Sequence, residues 1–173
     1  MWNRKIRDRF SVVILTAGGN KVRGEFGDPN SYPRPRKELQ NLPHRAFVTS
    51  RNSWANAGDL VSFQGVQYLL CGQHTLAEMK RFLAVEVNEF FDWTRIEEVI
   101  DPVTKMARDV DPTLLEAGLP VCFEPQRGIE EEKFTQTQTR IFTSAAVKPG
   151  DYLGDLKVIR VANVMGLTMV EAA

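Results

Sequence analysis

Residues 74–95, HTLAEMKRFLAVEVNEFFDWTR, decide the fold class. A helix over 75–87 competes here with a strand. From Leu83 onward the period is two: Leu83, Val85 and Val87 share one face, and Ala84, Glu86 and Asn88 the other. That alternation suits a pleated strand, whose successive side chains point to opposite sides. The expectation is a strand over about 81–91, with TLAEMK as the turn before it.

Strand signals recur on both sides of this stretch. FSVVIL (10–15) and KVRGEF (21–26) flank the glycine-bearing TAGGN and predict a hairpin. Asp28-Pro29 ends it, because proline cannot donate to a ladder. RAFVTS (45–50) is the next strand, and LVSFQGVQYLL (60–70) reads as two strands around Gln64-Gly65. TRIEEVI, DPVTK and MARDV predict a hairpin with Asp101-Pro102 in its turn. PTLLEAG (112–118) reads as a short helical turn ended by Gly118. LPVCFEP (119–125) is a strand stopped by Pro125, and LKVIRVANVMGLTMV supplies the last strands. KFTQTQTRIFTS (133–144) alternates with polar groups on both faces, Phe134, Gln136, Gln138, Arg140 and Phe142 on one of them. A strand polar on both sides is expected to leave the core as a ribbon and to contact another subunit. The chain is therefore expected to be all-β and mainly antiparallel. It should form small β-barrel or sandwich modules in tandem, with long loops, a projecting β-ribbon and little helix.

The two halves echo each other. The first reads KVRGEFGDP, HRAFVTS, NAGDLVSF, VQYLL; the second reads LPVCFEP, TRIFTS, KPGDYLG, LKVIRV. Phe26 and Pro29 answer to Phe123 and Pro125. Arg45, Phe47, Thr49 and Ser50 answer to Arg140, Phe142, Thr143 and Ser144, and Gly58-Asp59 answers to Gly150-Asp151. Each Gly-Asp is read as a structural turn in which glycine takes a backbone angle other residues resist. An N-terminal module over 1–93 and a C-terminal module over 94–173, the second repeating the first, is the expected organisation. The halves close either one barrel or two.

Composition narrows the function classes. The chain has 173 residues, 43% of them hydrophobic, with 22 basic and 22 acidic side chains. That balance argues against a dedicated nucleic-acid coat. The charge is uneven: residues 1–50 hold ten Lys and Arg against four Asp and Glu, and the remainder is acidic in compensation. Cys71 and Cys122 are far apart in apolar surroundings, which points to two buried thiols in a reducing compartment rather than a metal site. No catalytic, metal or cofactor constellation is expected. His44 and His74 lie in or near loops without a nucleophile setting, and Glu97-Glu98 point to opposite faces of a strand. Phe90, Phe91 and Trp93 neighbour acidic residues, which favours packing over base stacking. The N-terminus MWNRKIRDRF lacks the apolar centre of a signal peptide and no stretch reaches membrane-spanning length, so cytoplasmic synthesis and no membrane partner are expected.

One series of short motifs carries a resemblance. Val22, Arg23, Gly24, Phe26, Asp28 and Pro29, then Phe47-Val48-Thr49, Gly58-Asp59, and Gly65 with Tyr68 follow in the order found in the head–tail joining proteins of tailed bacteriophages. Over residues 10–73 the chain resembles that connector and head-closure family. The resemblance implies a small β-barrel without enzymatic activity or cofactor. It implies assembly of identical subunits into a ring, sixfold ahead of twelvefold, in the virion neck. Portal or adaptor and tail proteins are then the partners, with genomic double-stranded DNA passing through the channel. Residues 94–173 exceed the short member of the family, which leaves open whether the position is stopper, collar or tail-side connector. On this reading the basic, proline-bearing loop 29–44, with Tyr32, Arg34, Arg36 and Lys37, reaches a neighbouring ring or the channel. The rival reading is a nucleic-acid-binding β-barrel working alone.

Overall fold

A computed structural model describes residues 12–15, 21–27, 33–109, 111–124 and 139–173. Among them are fourteen strands and a single short 3-10 turn, Lys37–Leu39, so the chain is nearly all β and antiparallel. It divides into two compact units. One is built from the described residues up to Val87 together with Asn163–Leu167, and the other from Asn88–Ala162 with Thr168–Ala173.

The first unit is a six-stranded sheet of β1 (Val12–Leu15), β2 (Lys21–Gly27), β3 (His44–Ser50), β4 (Leu60–Phe63), β5 (Val66–Leu76) and β6 (Met79–Glu86). The strand order is β1-β2-β3-β6-β5-β4, and β1 lies against β4 at the open seam. The stretch that chose the fold class is β: the turn is reduced to Ala77-Glu78, and β5 runs on to Leu76. Both faces of β6 are buried, Phe82 and Ala84 on one and Leu83 and Val85 on the other, which a helix over these residues would not reproduce. Aromatic rings fill the inside. Phe26 stacks on Phe63 with centroids 4.6 Å apart and meets Phe47 and Tyr68 at 5.1 Å each.

The strand expected over 81–91 ends earlier, at Glu86. Val87 donates its N–H to Gln67 of the first unit, and Asn88 N–H goes to Val121 of the second. Asn88 then grips Phe123 with its side chain, accepting from the Phe123 N–H at 2.7 Å and donating to its carbonyl at 2.8 Å. The division therefore falls at Val87/Asn88, ahead of the expected position after residue 93.

The second unit holds β7 (Glu89–Arg95), β8 (Glu98–Ile100), β9 (Ala107–Asp109), β10 (Thr113–Glu124), β11 (Thr139–Thr143), β12 (Tyr152–Leu153), β13 (Leu156–Val164) and β14 (Leu167–Ala172). Six of these close a barrel in the order β10-β11-β14-β13-β12-β7, while β8 and β9 pair only with each other. PTLLEAG is no helical turn: Thr113 to Gly118 are the first half of β10, and Gly118 (φ 63) sits at a register shift in its ladder with β7. Two-strand pairing overrides the local helical propensity of Leu-Leu-Glu-Ala. Residues 139–143 of the expected ribbon form β11, paired on one side with β10 and on the other with β14. Residues 133–138 lie outside the described residues.

The two units share one plan. Strands β7, β10, β11, β14, β13 and β12 follow each other as β1, β2, β3, β6, β5 and β4 do. Registers match as well. Phe26 faces Phe47 across β2 and β3, and Phe123 faces Ile141 across β10 and β11. Phe47 faces Phe82 on its other side, and Ile141 faces Val170. Val61 faces Tyr68, and Leu153 faces Leu156. Leu69 pairs with Val85, and Lys157 exchanges both backbone bonds with Ala173. The cores correspond accordingly: Val22 to Leu119, Leu70 to Val158, Ala84 to Ala172 and Ala55 to Val147. RAFVTS therefore matches TRIFTS without a gap. Phe47 answers to Ile141, not to Phe142, because a slip of one residue would turn the core side chains outward.

Gly24 lies where the first core leaves no room for a side chain. A methyl group there would run into the Phe47 ring and lie 2.8 Å from the Val48 carbonyl oxygen. Gly24→Ala is expected to lower the unfolding free energy by about 1–3 kcal/mol, as overpacking does, measured by denaturant titration of the full chain. An unchanged midpoint would contradict this packing.

Candidate functional site

The paired Gly-Asp turns are the most closely repeated local structure. Gly58 has φ 94 and Gly150 φ 92, a region that favours glycine. In the first unit Gly58 N–H donates to Leu70 at 2.7 Å, and Leu70 N–H returns to the Asp59 carbonyl at 2.9 Å. In the second, Gly150 N–H donates to Val158 at 2.9 Å, and Val158 N–H returns to Asp151 at 2.8 Å. Each aspartate also closes its own turn. Asp59 Oδ2 accepts from the Asn56 N–H at 2.8 Å, and Asp151 Oδ2 from the Lys148 N–H at 2.9 Å. Such Asx closures are why aspartate is common in turns.

The two turns then diverge. Asp59 stays partly exposed, whereas Asp151 is 2% exposed and gathers charged partners. Arg95 of β7 donates from Nε to Oδ1 at 2.6 Å and from Nη2 to Oδ2 at 2.9 Å. Trp93 Nε1 donates to Oδ2 at 2.9 Å, and the Arg95 guanidinium lies 5.9 Å from the Trp93 ring centre. Burial raises the Asp151 pKa, but the Arg95 bonds, the Lys148 N–H and the Trp93 N–H outweigh it and hold the carboxyl below its usual range. Arg95 and Trp93 stand two apart on β7, so both reach the barrel end where the turn lies. From the residues alone Asp151 is expected only as a turn residue and Trp93 only in packing, and Arg95 carries no expected role. A tryptophan and an arginine two apart on one strand face were the available signal.

The basic loop is partly anchored. Leu39 is fully buried, Leu42 is 4% exposed and Pro33 is buried. Glu86 N–H donates to the Pro43 carbonyl at 2.9 Å, and His44 Nδ1 lies 2.8 Å from the Leu42 carbonyl. Residues 33–43 therefore lie on the first unit. Arg36 keeps the extended geometry expected beside proline (φ −66, ψ 162). From this base Arg34, Arg36 and Lys37 are exposed, with Arg45 exposed at the start of β3. Tyr32 lies outside the described residues, as do Phe134, Gln136 and Gln138. Arg140 is exposed on β11, paired in register with Glu124, its guanidinium 3.9 Å from that carboxylate.

Neither cysteine is in a disulfide, both are buried, and burial pushes the Cys71 thiol up to about 12. Phe91 and Trp93 pack into the second core, with Phe91 edge-on to Phe123 at 6.0 Å, while Phe90 is 56% exposed. Among the described residues no group of three His, Cys, Asp or Glu is placed to hold a metal ion, and no helix is long and apolar enough to cross a membrane. Comparison with protein-family models, curated sequences and solved structures finds no match to this chain.

Asp151→Asn is expected to cost roughly 2 kcal/mol, because four N–H donors from three residues lose a charged acceptor. Because the folded pKa is lowered, the stabilisation is complete above the unfolded value of about 3.9 and is lost as pH falls through the folded value. Denaturant titrations of wild type and variant from pH 7 to 3 should show a constant difference that shrinks below about pH 4. A difference that grows on acidification would refute the assignment.

Proposed function

We propose that the chain is a structural connector of a tailed-phage neck, assembling as a ring that links portal or adaptor to tail. The observation that carries this reading is where the motifs of the resemblance lie. Phe26, Phe47 and Tyr68 form one aromatic core, Thr49 bonds to the Arg23 carbonyl at 2.6 Å, and Gly58-Asp59 fixes the return of the sheet. These residues lie together within one small sheet, which supports reading them as one set; Asp28 and Pro29 lie outside the described residues. The tandem repetition of that sheet suits a spacer, since it lengthens a connector without new chemistry.

In this role the side chains bind and align, and no bond is made or broken. Arg34, Arg36 and Lys37 are exposed on an anchored base, so little backbone freedom is lost when they meet carboxylates or phosphates. Copies around a ring multiply a modest charge into a positive collar.

Imaging of purified virions at the tail vertex tests the reading. A ring of this chain between portal and tail is expected; its absence from the particle, or a place elsewhere in the capsid, would overturn it. The triple variant Arg34→Ala, Arg36→Ala, Lys37→Ala is expected to reduce filled, tailed particles at least tenfold. Unchanged assembly and genome retention would remove the loop from the mechanism.

A further inference from the structure

We propose that the β8–β9 arm is a docking element that seats on the first unit of a second copy of this chain. The inference deepens the connector reading and rests on it only for the closure of copies into a ring.

The arm is an insertion in the shared plan. In the first unit β1 passes to β2 through residues 16–20; in the second, β7 passes to β10 through residues 96–112, which carry β8 and β9. The two strands pair with each other and extend no sheet. Their apolar side chains face water: Val99 is 52% exposed, Ile100 65%, Met106 70% and Val103 87%. Val99 and Ile100 are neighbours and so point to opposite faces of the ribbon. Neither face is therefore covered by the described residues.

The tip is nevertheless well ordered by its own bonds. Asp101 Oδ1 accepts from the Val103 N–H at 2.8 Å and the Thr104 N–H at 3.0 Å. The Asp101 N–H donates to Met106 at 3.0 Å, and its carbonyl accepts from Lys105 at 2.9 Å. A turn held this way presents Val103 and Met106 at small further cost in entropy. Four exposed apolar side chains on a pre-formed ribbon describe a contact surface awaiting its partner.

Charge selects the partner. Glu97, Glu98, Asp101, Asp109 and Asp111 outnumber Lys105 and Arg108 over residues 96–112, so the arm is acidic. The first unit offers the complement around Trp54, which is 71% exposed. Its loop is pinned by Lys80, whose Nζ donates to the Ser53 and Ala55 carbonyls at 3.0 and 3.1 Å. Arg51 is exposed beside it, and Lys21 and Arg23 are exposed on β2, where Arg23 adjoins Thr49 at the same end of β3. Two acids lie at this end: Glu78 is exposed, its carbonyl bonded to the Arg51 N–H, and the partly exposed Asp59 carboxylate is engaged by the Asn56 N–H of the Trp54 loop. An exposed tryptophan flanked by cations is the composition of an interface hot spot.

Donor and acceptor are different surfaces carried by every copy. Such contacts link head to tail, and close into rings when the rotation permits. The arm is small against a standard interface, so a single contact is weak and the ring strengthens it by avidity.

Sedimentation of the full-length chain over a concentration series tests this. Wild type is expected to associate reversibly in the micromolar range, more weakly at high salt. Val103→Glu with Met106→Glu should weaken association at least tenfold, and Arg51→Glu with Trp54→Ala should do the same. Mixing the two variants should restore a one-to-one dimer and nothing larger, since one sound arm and one sound acceptor remain. That rescue separates a lost contact from a damaged fold. A wild type that stays monomeric throughout, variants that associate normally, or a mixture without dimers would each overturn the proposal. None of these results depends on where the chain sits in a virion, so this contact and the connector reading fail separately.

Discussion

Both units depend on a backbone exchange that no side chain makes. Gly58 donates its N–H to the Leu70 carbonyl, and Leu70 donates its own to the Asp59 carbonyl; Gly150, Val158 and Asp151 repeat the pattern. The exchange fixes the residue at which the chain re-enters the sheet. Side-chain direction alternates along a strand, so one residue of slip would send Val61 or Leu153 outward and empty the core. The positive φ at each glycine and the Asx closure by each aspartate make this entry point local and cheap to form. Everything downstream of the turn inherits its register: β4 and β5 in one unit, β12 and β13 in the other.

On that shared frame the units have specialised. The first fills its interior with Phe26, Phe47, Phe63, Tyr68 and Phe82, and leaves β1 and β4 adjacent across an open seam. The second centres on aliphatic residues, Ile141, Leu153, Val158 and Val170, with Phe91, Trp93 and Phe123 packed against them, and closes its ring of strands through β7. Its Gly-Asp turn is tied to that closing strand by Arg95 and Trp93. The same strand then carries the chain into the arm. Closure and projection are thus joined at β7, the strand that also carries Arg95 to the Asp151 carboxylate.

Much of the fold was legible in the residues. The period of two over Leu83–Val87, the Gln64-Gly65 turn and the repeated Gly-Asp pairs led to the right elements because each reports a local backbone requirement. What failed was non-local. Leu114-Leu115-Glu116-Ala117 looks helical alone, and only its pairing with β7 makes it a strand. The echo was misaligned by one residue in TRIFTS because Phe142 looks more like Phe47 than Ile141 does, and chemistry masked register. Nothing in the spacing of the loop that carries Arg34, Arg36 and Lys37 shows that Leu39 and Leu42 bury and hold its base. The arm was visible as a hairpin, but the exposure of its apolar residues belongs to the folded surface.

Amide hydrogen exchange measured residue by residue tests the central claim most directly. Gly58 and Gly150 lie in loops by sequence, so their amides would ordinarily exchange quickly. If the turn exchange sets the register of both units, these two amides will be protected as strongly as those of Phe82 and Val170 in mid-sheet, orders of magnitude beyond the turn residues Gln64 and Asp155. Exchange of either glycine at the rate of those turn residues would contradict the account.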